Sequence, residues 1–265
     1  GLFGHAPEWL ACDAHPGWRP SMAARARAAT DALPLIEVQH HHAHLASVLA
    51  ENEHPREGGK VAGIVLDGLG FGEDGTIWGG ELLLGDYAGA ERVAHLAPAP
   101  LPGGDAANRA PWRNLLVRLD EAELDGLADA LLDGRPLRLV RQAVRAGVNA
   151  PLSSSAGRLF DAVAAFLGLL DDEMSYEGEA AMRLEALARR GDAAKGGYPL
   201  GDGPSIATAP LFRALAKDRA GGARPEDMAA RFHAGLAMAF AARARDAVEQ
   251  GHAAAVALSG GCFQN

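Results

Sequence analysis

Cysteine is nearly missing: Cys12 and Cys262 are the only two among 265 residues. They form no CxxC pair, no zinc-finger spacing and no disulfide framework, and two thiols suit a reducing compartment. Aromatic residues make up 6% of the chain, too few for a base-stacking platform. Positive charge is also short, with 25 Lys and Arg against 34 Asp and Glu, a formal net charge of −9. That balance argues against nucleic acid or an anionic membrane as partner, although it leaves room for a local basic cleft. No apolar run approaches the roughly 18 residues of a membrane span. The opening Gly1–His5 has none of the regions of a signal peptide. The chain therefore reads as cytoplasmic.

What the chain has in quantity is glycine, 33 residues, together with 15 prolines, so tight turns and glycine loops are frequent. Its length suits one large domain or two lobes. A short strand is expected at Glu8–Asp13, then a helix capped by Ser21 and stopped by Pro34, then a strand at Leu35–Gln39. His40 to about Glu53 is helical, with Leu45, Val48 and Leu49 as its apolar stripe. Val61–Leu66 is a buried-strand run ending at Asp67, with a glycine loop expected from Gly68 to Gly75. Two further strands, Ile77–Leu84 and Arg92–Ala97, precede a helical stretch from Trp112 to about Ala146. Arg158–Leu170 is a helix with Leu159, Val163, Phe166 and Leu167 on one face. Pro225 suits the first position of a long helix ending near Glu249. The strand Ala254–Leu258 then leads into Ser259-Gly260-Gly261.

The strongest chemical signal is Gln39-His40-His41-His42-Ala43-His44. On a helix, His40 and His44 stand at i and i+4, so both imidazoles can grip one metal ion. The alternative is a solvated or structural polar turn. His41 and His42 point elsewhere and suit structural roles. Asp67 is the natural third ligand, because an unpaired carboxylate ending a buried strand is costly. The alternative is a carboxylate that simply accepts N–H bonds from the turn that follows. Two imidazoles and a carboxylate suit iron, zinc or manganese rather than calcium. Gly68-Leu69-Gly70 lacks the third glycine of a dinucleotide fingerprint, since position 73 is Glu, and no P-loop lysine pattern occurs. Two glycine turns, each after an apolar strand, instead resemble the paired phosphate loops of actin-like ATPases. Ser153, Ser154 and Ser155 have no nucleophile-elbow pattern and read as loop serines. Cys262 sits at a helix start that could lower its pKa, but a structural thiol is the simpler reading.

Several blocks occur together and in order: the histidine run, Ile64-Val65-Leu66-Asp67-Gly68, Trp78-Gly79-Gly80-Glu81 and Leu101-Pro102-Gly103-Gly104-Asp105-Ala106. Gly157-Arg158-Leu159-Phe160-Asp161-Ala162-Val163, Tyr176-Glu177-Gly178-Glu179-Ala180-Ala181-Met182 and Ser259-Gly260-Gly261-Cys262-Phe263-Gln264-Asn265 follow. This set resembles the C-terminal carbamoyltransferase domain of the HypF family of nickel–iron hydrogenase maturation proteins. The resemblance implies an α/β, actin-like (ASKHA) fold of two RNase H-like lobes. Residues 1–150 would form a metal-binding lobe with a helical insertion, and residues 151–265 a nucleotide-binding lobe that is incomplete.

The resemblance also implies transfer of a carbamoyl group from carbamoyl adenylate to the C-terminal cysteine of HypE, toward the hydrogenase cyanide ligand. The bound groups would be a divalent metal ion, iron or zinc, and ATP or carbamoyl adenylate. A carbamoyl-adenylate-forming module normally lies on the same chain. His40, His44 and Asp67 would be the metal ligands. Gly68, Gly157, Asp161, Gly178, Gly260, Gly261 and Asn265 would line the nucleotide site. Asp67, with Arg109 or Arg113 steadying phosphate or oxyanion, would serve catalysis. Ala110 replaces the Glu usual in the family's Arg-Glu-Pro-Trp-Arg motif, and a final Asp ligand is expected beyond Asn265. The 265-residue chain is accordingly expected to hold metal weakly. Transfer to a small-molecule hydroxyl and a non-catalytic nucleotide-binding scaffold are the competing functions.

Overall fold

The computed structural model describes residues 6–170 and 172–264. The opening Gly1–His5 and the expected nucleotide contact of Asn265 lie outside the described residues. The chain begins with β1 (Leu10–Asp13), α1 (Arg19–Asp31), β2 (Leu35–Val38) and α2 (His40–Glu51), with β1 and β2 paired in parallel. Helix α1 starts two residues before the expected Ser21 cap. Ser21 is instead buried, its hydroxyl donating to the Asp13 carbonyl at 2.8 Å and so fastening the helix to the end of β1. The first turn of α2 is capped by Gln39, whose Oε1 accepts the His42 N–H at 2.8 Å.

An antiparallel meander follows, β3 (Val61–Phe71), β4 (Ile77–Gly85) and β5 (Ala90–Leu96), with the short β6 (Ala99–Pro100) after it. Strand β3 runs through Gly68, Leu69 and Gly70, where a glycine loop was expected; the register shifts between Leu66 and Gly70 as in a bulge. Glycine persists in this strand for a spatial reason. A Cβ on Gly70 would run into the rings of His40 and His41, so its absence lets α2 lie close against β3.

The helical stretch expected from Trp112 to about Ala146 comprises three helices after α3 (Asp105–Arg109): α4 (Pro111–Glu121), α5 (Asp125–Leu131) and α6 (Leu137–Arg145). Glu123 and Gly134 adopt positive φ at the two breaks, and Pro136 precedes the third helix. Then come β7 (Leu152–Ser153), α7 (Ala156–Phe166), α8 (Glu179–Ala188), β8 (Ser205–Ile206), α9 (Ala209–Ala220) and α10 (Pro225–Glu249). The described residues end with β9 (Ala255–Ser259) and a 3₁₀ turn, Gly261–Gln264. Helix α10 starts on Pro225 with Glu226 and Asp227 in its first turn, favourable at the positive end of the helix dipole.

The seven-stranded sheet has the path β6-β7-β4-β3-β9, with β5 beside β4 and β8 beside β5. Strand β9 pairs in parallel with β3, Val61 opposite Ala255. The expected lobe boundary at 150/151 therefore runs through this sheet, which draws strands from both sides of it.

Alternation along β3 sorts its side chains between two layers. Ala62, Ile64 and Leu66 join the large core made with Leu159 and Phe160 of α7, Phe232 and Phe240 of α10 and Leu115 and Leu119 of α4. Val61 and Val65 face the other way, onto Leu45 and Leu49 of α2. Asp67 is the next residue of this second set, and the alternation delivers its carboxylate to the face covered by α2. Among the described residues, no helix is long and apolar enough to cross a membrane.

Candidate active site

His40 and His44 project from the first two turns of α2 toward the end of β3, their rings 5.1 Å apart. Asp67 Oδ2 lies 3.3 Å from His40 Nε2 and 3.1 Å from His44 Nε2. One ligand atom from each of the three residues falls within 4.8 Å of the others, so a single ion can reach all three. The second ring nitrogen of His40, Nδ1, bonds Asp13 Oδ2 at 2.7 Å, where β1 ends. With Nδ1–H donated to Asp13, Nε2 of a neutral imidazole is a lone pair aimed at a carboxylate oxygen. Two acceptors face each other there unless a cation stands between them or the ring is protonated. Without the cation, the bond to Asp67 raises the His40 pKa against the opposing effect of burial, with Asp13 assisting. The donor set thus fits a divalent metal, and Asp13 orients its histidine as metal-site carboxylates do.

Burial alone would push the Asp67 carboxyl upward. The bonds from His40 and His44 and the Gly68 N–H outweigh it and hold the group well below the usual carboxylate range. Its other oxygen, Oδ1, accepts the N–H of Gly68 at 2.8 Å and faces that of Gly261 at 3.3 Å. The 3₁₀ turn after β9 therefore closes on the strand end that carries the carboxylate. Gly260 makes this possible: its φ is +100° and a Cβ would overlap the Leu66 carbonyl.

His41 and His42 take the structural positions expected of them. His41 is fully buried, and burial with the nearby His40 holds its pKa down at about 3, so the ring is neutral. His42 Nε2 donates to the Asp86 carbonyl at 2.8 Å. Gln39 Nε2 donates to the Phe71 carbonyl at 3.0 Å, a further tie between α2 and β3.

The three donors open into a cleft of about 750 Å³. Gly68, Gly157, Asp161, Gly178, Gly261 and Cys262 line it together with His40, His44 and Asp67, so most of the residues expected to hold a nucleotide share one space with the metal set. The serine turn fastens its wall. Ser155 caps α7 by accepting the Arg158 N–H at 3.0 Å, and its hydroxyl donates to the Gly68 carbonyl. Ser154 bonds the buried Glu81 at 2.5 Å, and Arg92 reaches both, Glu81 at 2.6 Å and Ser154 at 3.0 Å. These serines are structural loop residues. The Cys262 thiol is pushed up to about 12, chiefly by burial and then by the Asp67 charge, so the helix-start lowering considered from the sequence does not prevail.

Asp161 on α7 is 1% exposed, and burial raises its pKa to about 6, the Arg158 charge opposing and the Glu177 charge adding. Its Oδ2 lies 2.9 Å from Arg158 Nε, yet neither atom makes a hydrogen bond of good geometry. The other end of Arg158 donates to Asn108 Oδ1 at 2.7 Å. Among the described residues, Arg158 is the one Lys or Arg lining the cleft. The two arginines singled out from the sequence stand elsewhere. Arg109 is exposed, and Arg113 donates to the Pro102 carbonyl at 3.3 Å and stacks on Trp112, with neither lining the cleft. Asp13, Arg158, Glu81 and Glu177 were missed as site residues; only the adjacency of Arg158 and Glu177 to the glycine motifs signalled two of them.

A family described as "Carbamoyltransferase, Kae1-like Domain, second subdomain" matches residues 63–265, and one described as "HypF Kae1-like domain" matches residues 1–51. This chain belongs to the HypF family. It is 60% identical over 268 residues to the carbamoyltransferase HypF of Rhodobacter capsulatus, covering 100% of this chain and 35% of that protein. Identity to HypF of Rhizobium leguminosarum bv. viciae is 43%, covering 98% of this chain and 33% of that one. The chain thus spans about a third of these relatives. A crystal structure of full-length HypF in a phosphate- and nucleotide-bound form superposes with a TM-score of 0.88 at 33% identity, over 100% of this chain and 41% of that one. HypF of T. kodakarensis gives 0.84 at 37% identity, over 96% of this chain and 35% of that one. The fold of this chain is that α/β, actin-like fold, as the motif resemblance implied.

Proposed function

We propose that this chain is the transferase domain that moves a carbamoyl group from carbamoyl adenylate to a thiolate, the C-terminal cysteine of HypE, during hydrogenase cyanide-ligand synthesis. The observation that carries this reading is the shared cleft: an imidazole, imidazole and carboxylate donor set opens into the same space as the glycine turns and Asp161. In that space a cation at the donor set and a nucleotide phosphate at the glycine turns can act on one group between them.

His40, His44 and Asp67 would hold a divalent ion, iron or zinc, whose chemistry there is Lewis-acid polarisation of a carbamoyl or phosphate oxygen. The chain's own groups do the rest. The N–H groups at Gly261 and at the start of α7 favour the adenylate phosphate, with the Arg158 guanidinium as counter-charge. Asp161, deep in the cleft, accepts a hydroxyl of the nucleoside. The acceptor enters as thiolate, its sulfur bonds the carbamoyl carbon, the bond from that carbon to the phosphate oxygen breaks, and AMP leaves carrying the electron pair. The donor comes from a carbamoyl-adenylate-forming module, as the family resemblance implies.

The test supplies the metal-loaded chain with carbamoyl adenylate, a peptide ending in cysteine and a polyol, and reads products by mass spectrometry. A carbamoylated cysteine supports the reading. Label on a hydroxyl assigns the chain to small-molecule transfer, and nucleotide binding without label leaves a scaffold.

A further inference from the structure

Glu177 lines the same cleft as His40, His44 and Asp67, on the loop that ends at Gly178, the φ +84° residue before α8. Its Oε1 lies 3.8 Å from the place a Cβ on Gly68 would take, so the carboxylate stands over the residue that follows the candidate ligand Asp67. Its charge is also felt at Asp161, on the nucleotide side. Glu177 therefore lies between the donor set and the residue that would hold the nucleoside.

The other carboxylates of the cleft are engaged. Asp67 meets His40, His44 and the Gly68 N–H, Asp161 is buried beside Arg158, and Glu185 pairs with Arg189. Glu177 is exposed and has no hydrogen-bond or ion-pair partner among the described residues. Its two oxygens are acceptors facing a space in which a donor is wanted.

A carbamoyl group differs from acyl groups of similar size at one point. Beside its carbonyl it carries an NH2 with two N–H donors, where an acetyl group has a methyl and a carboxy group has a charged oxygen. With the carbonyl oxygen at the metal set and the phosphate at the glycine turns, the transferred group lies beside Gly68, within reach of Glu177. We propose that Glu177 is the specificity-determining residue of the transfer, its carboxylate accepting an N–H of the carbamoyl amide. The inference rests on the transfer reading above and deepens it, naming what selects the transferred group. A methyl in place of the NH2 leaves the acceptor unpaired, and a carboxylate there meets a like charge.

The probes are the N-carbamoyl and N-acetyl sulfamates of adenosine, stable mimics of acyl adenylates that differ only in NH2 against CH3. Each is titrated calorimetrically into the metal-loaded chain, so that binding is read without turnover. Wild type is expected to bind the carbamoyl form about tenfold more tightly, the worth of one charge-assisted hydrogen bond at a solvated position. Glu177→Ala should bring the ratio close to one, and Glu177→Gln, whose amide oxygen still accepts, should keep a smaller preference. Taking the ratio cancels any general effect of the lost charge on nucleotide binding, which is all that a merely structural role would produce. Equal affinity of wild type for the two forms, or a preference undiminished in Glu177→Ala, overturns the inference. Two mimics that bind alike remove the role of Glu177 and leave the transfer reading in place, whereas two mimics that fail to bind at all remove both.

Discussion

Replacing Asp161 with Asn should change how the stability of the domain depends on pH. The carboxyl is 1% exposed within α7, and its pKa is raised from 3.8 to about 6, chiefly by burial. A carboxyl whose pKa is raised on folding binds its proton more tightly in the fold. Its contribution is complete below the ordinary carboxylate range and is lost as pH rises through about 6. The difference, 6 − 3.8 = 2.2, at about 1.4 kcal/mol for each tenfold change in proton affinity, amounts to about 3 kcal/mol. Urea unfolding of wild type and Asp161→Asn, each measured between about pH 4 and about pH 7, isolates it, because every other carboxyl titrates in both proteins. The gap between the two curves should move by roughly 2 kcal/mol in favour of the variant across this window, because at about pH 4 part of the full effect is already lost. The absolute cost of the substitution, which includes placing an amide beside Arg158, is constant and drops out. Two curves that run parallel across the window would refute the argument from burial.

The remaining expectations concern the donors and the turn that closes on them. His40→Ala and His44→Ala should each abolish stoichiometric metal with little change in unfolding midpoint; full metal content by elemental analysis in both would contradict the donor set. Asp13→Ala should lower metal affinity by about 10- to 100-fold, since it frees the His40 ring rather than removing a ligand. An unchanged affinity in a chelator competition would show that Asp13 does not orient the ring. Gly260→Ala, at φ +100° and against the Leu66 carbonyl, should cost at least about 3 kcal/mol and weaken AMP binding by displacing the Gly261 N–H. An unchanged melting temperature together with unchanged AMP affinity would count against it.

Local signals in the sequence carried unequal distances. Helix α10 spans Pro225 to Glu249 as read, because a proline at the first helical position and two acids behind it act within one turn. The spacing of His40 and His44 sufficed to place both rings on one side of α2. Asp67 was legible through the cost of ending a buried run on a carboxylate. The errors arose where the partner is distant along the chain. Gly68 and Gly70 looked like a loop, yet they extend β3 because neighbouring rings on α2 exclude a side chain at Gly70. Asp13 meets His40 across 27 positions, and Glu81 gathers Arg92 and Ser154 from two other segments. No periodicity encodes such meetings. The pairing of β9 with β3, from segments far apart in the chain, is likewise a matter of topology rather than of local pattern. Arg109 and Arg113 were chosen as cations near a motif; Arg158, one residue after Gly157, lines the cleft because the first turn of α7 points it there.

Everything proposed for this chain depends on a metal and a nucleotide occupying one cleft. Crystals of the chain grown with a divalent transition metal and AMP, measured on both sides of the metal absorption edge, test it most directly. One anomalous peak bonded to His40 Nε2, His44 Nε2 and Asp67 Oδ2 is expected, with AMP density bounded by Asp161, Gly157 and Gly261. A peak held by other residues, or AMP bound outside that cleft while the metal sits in it, would contradict the account.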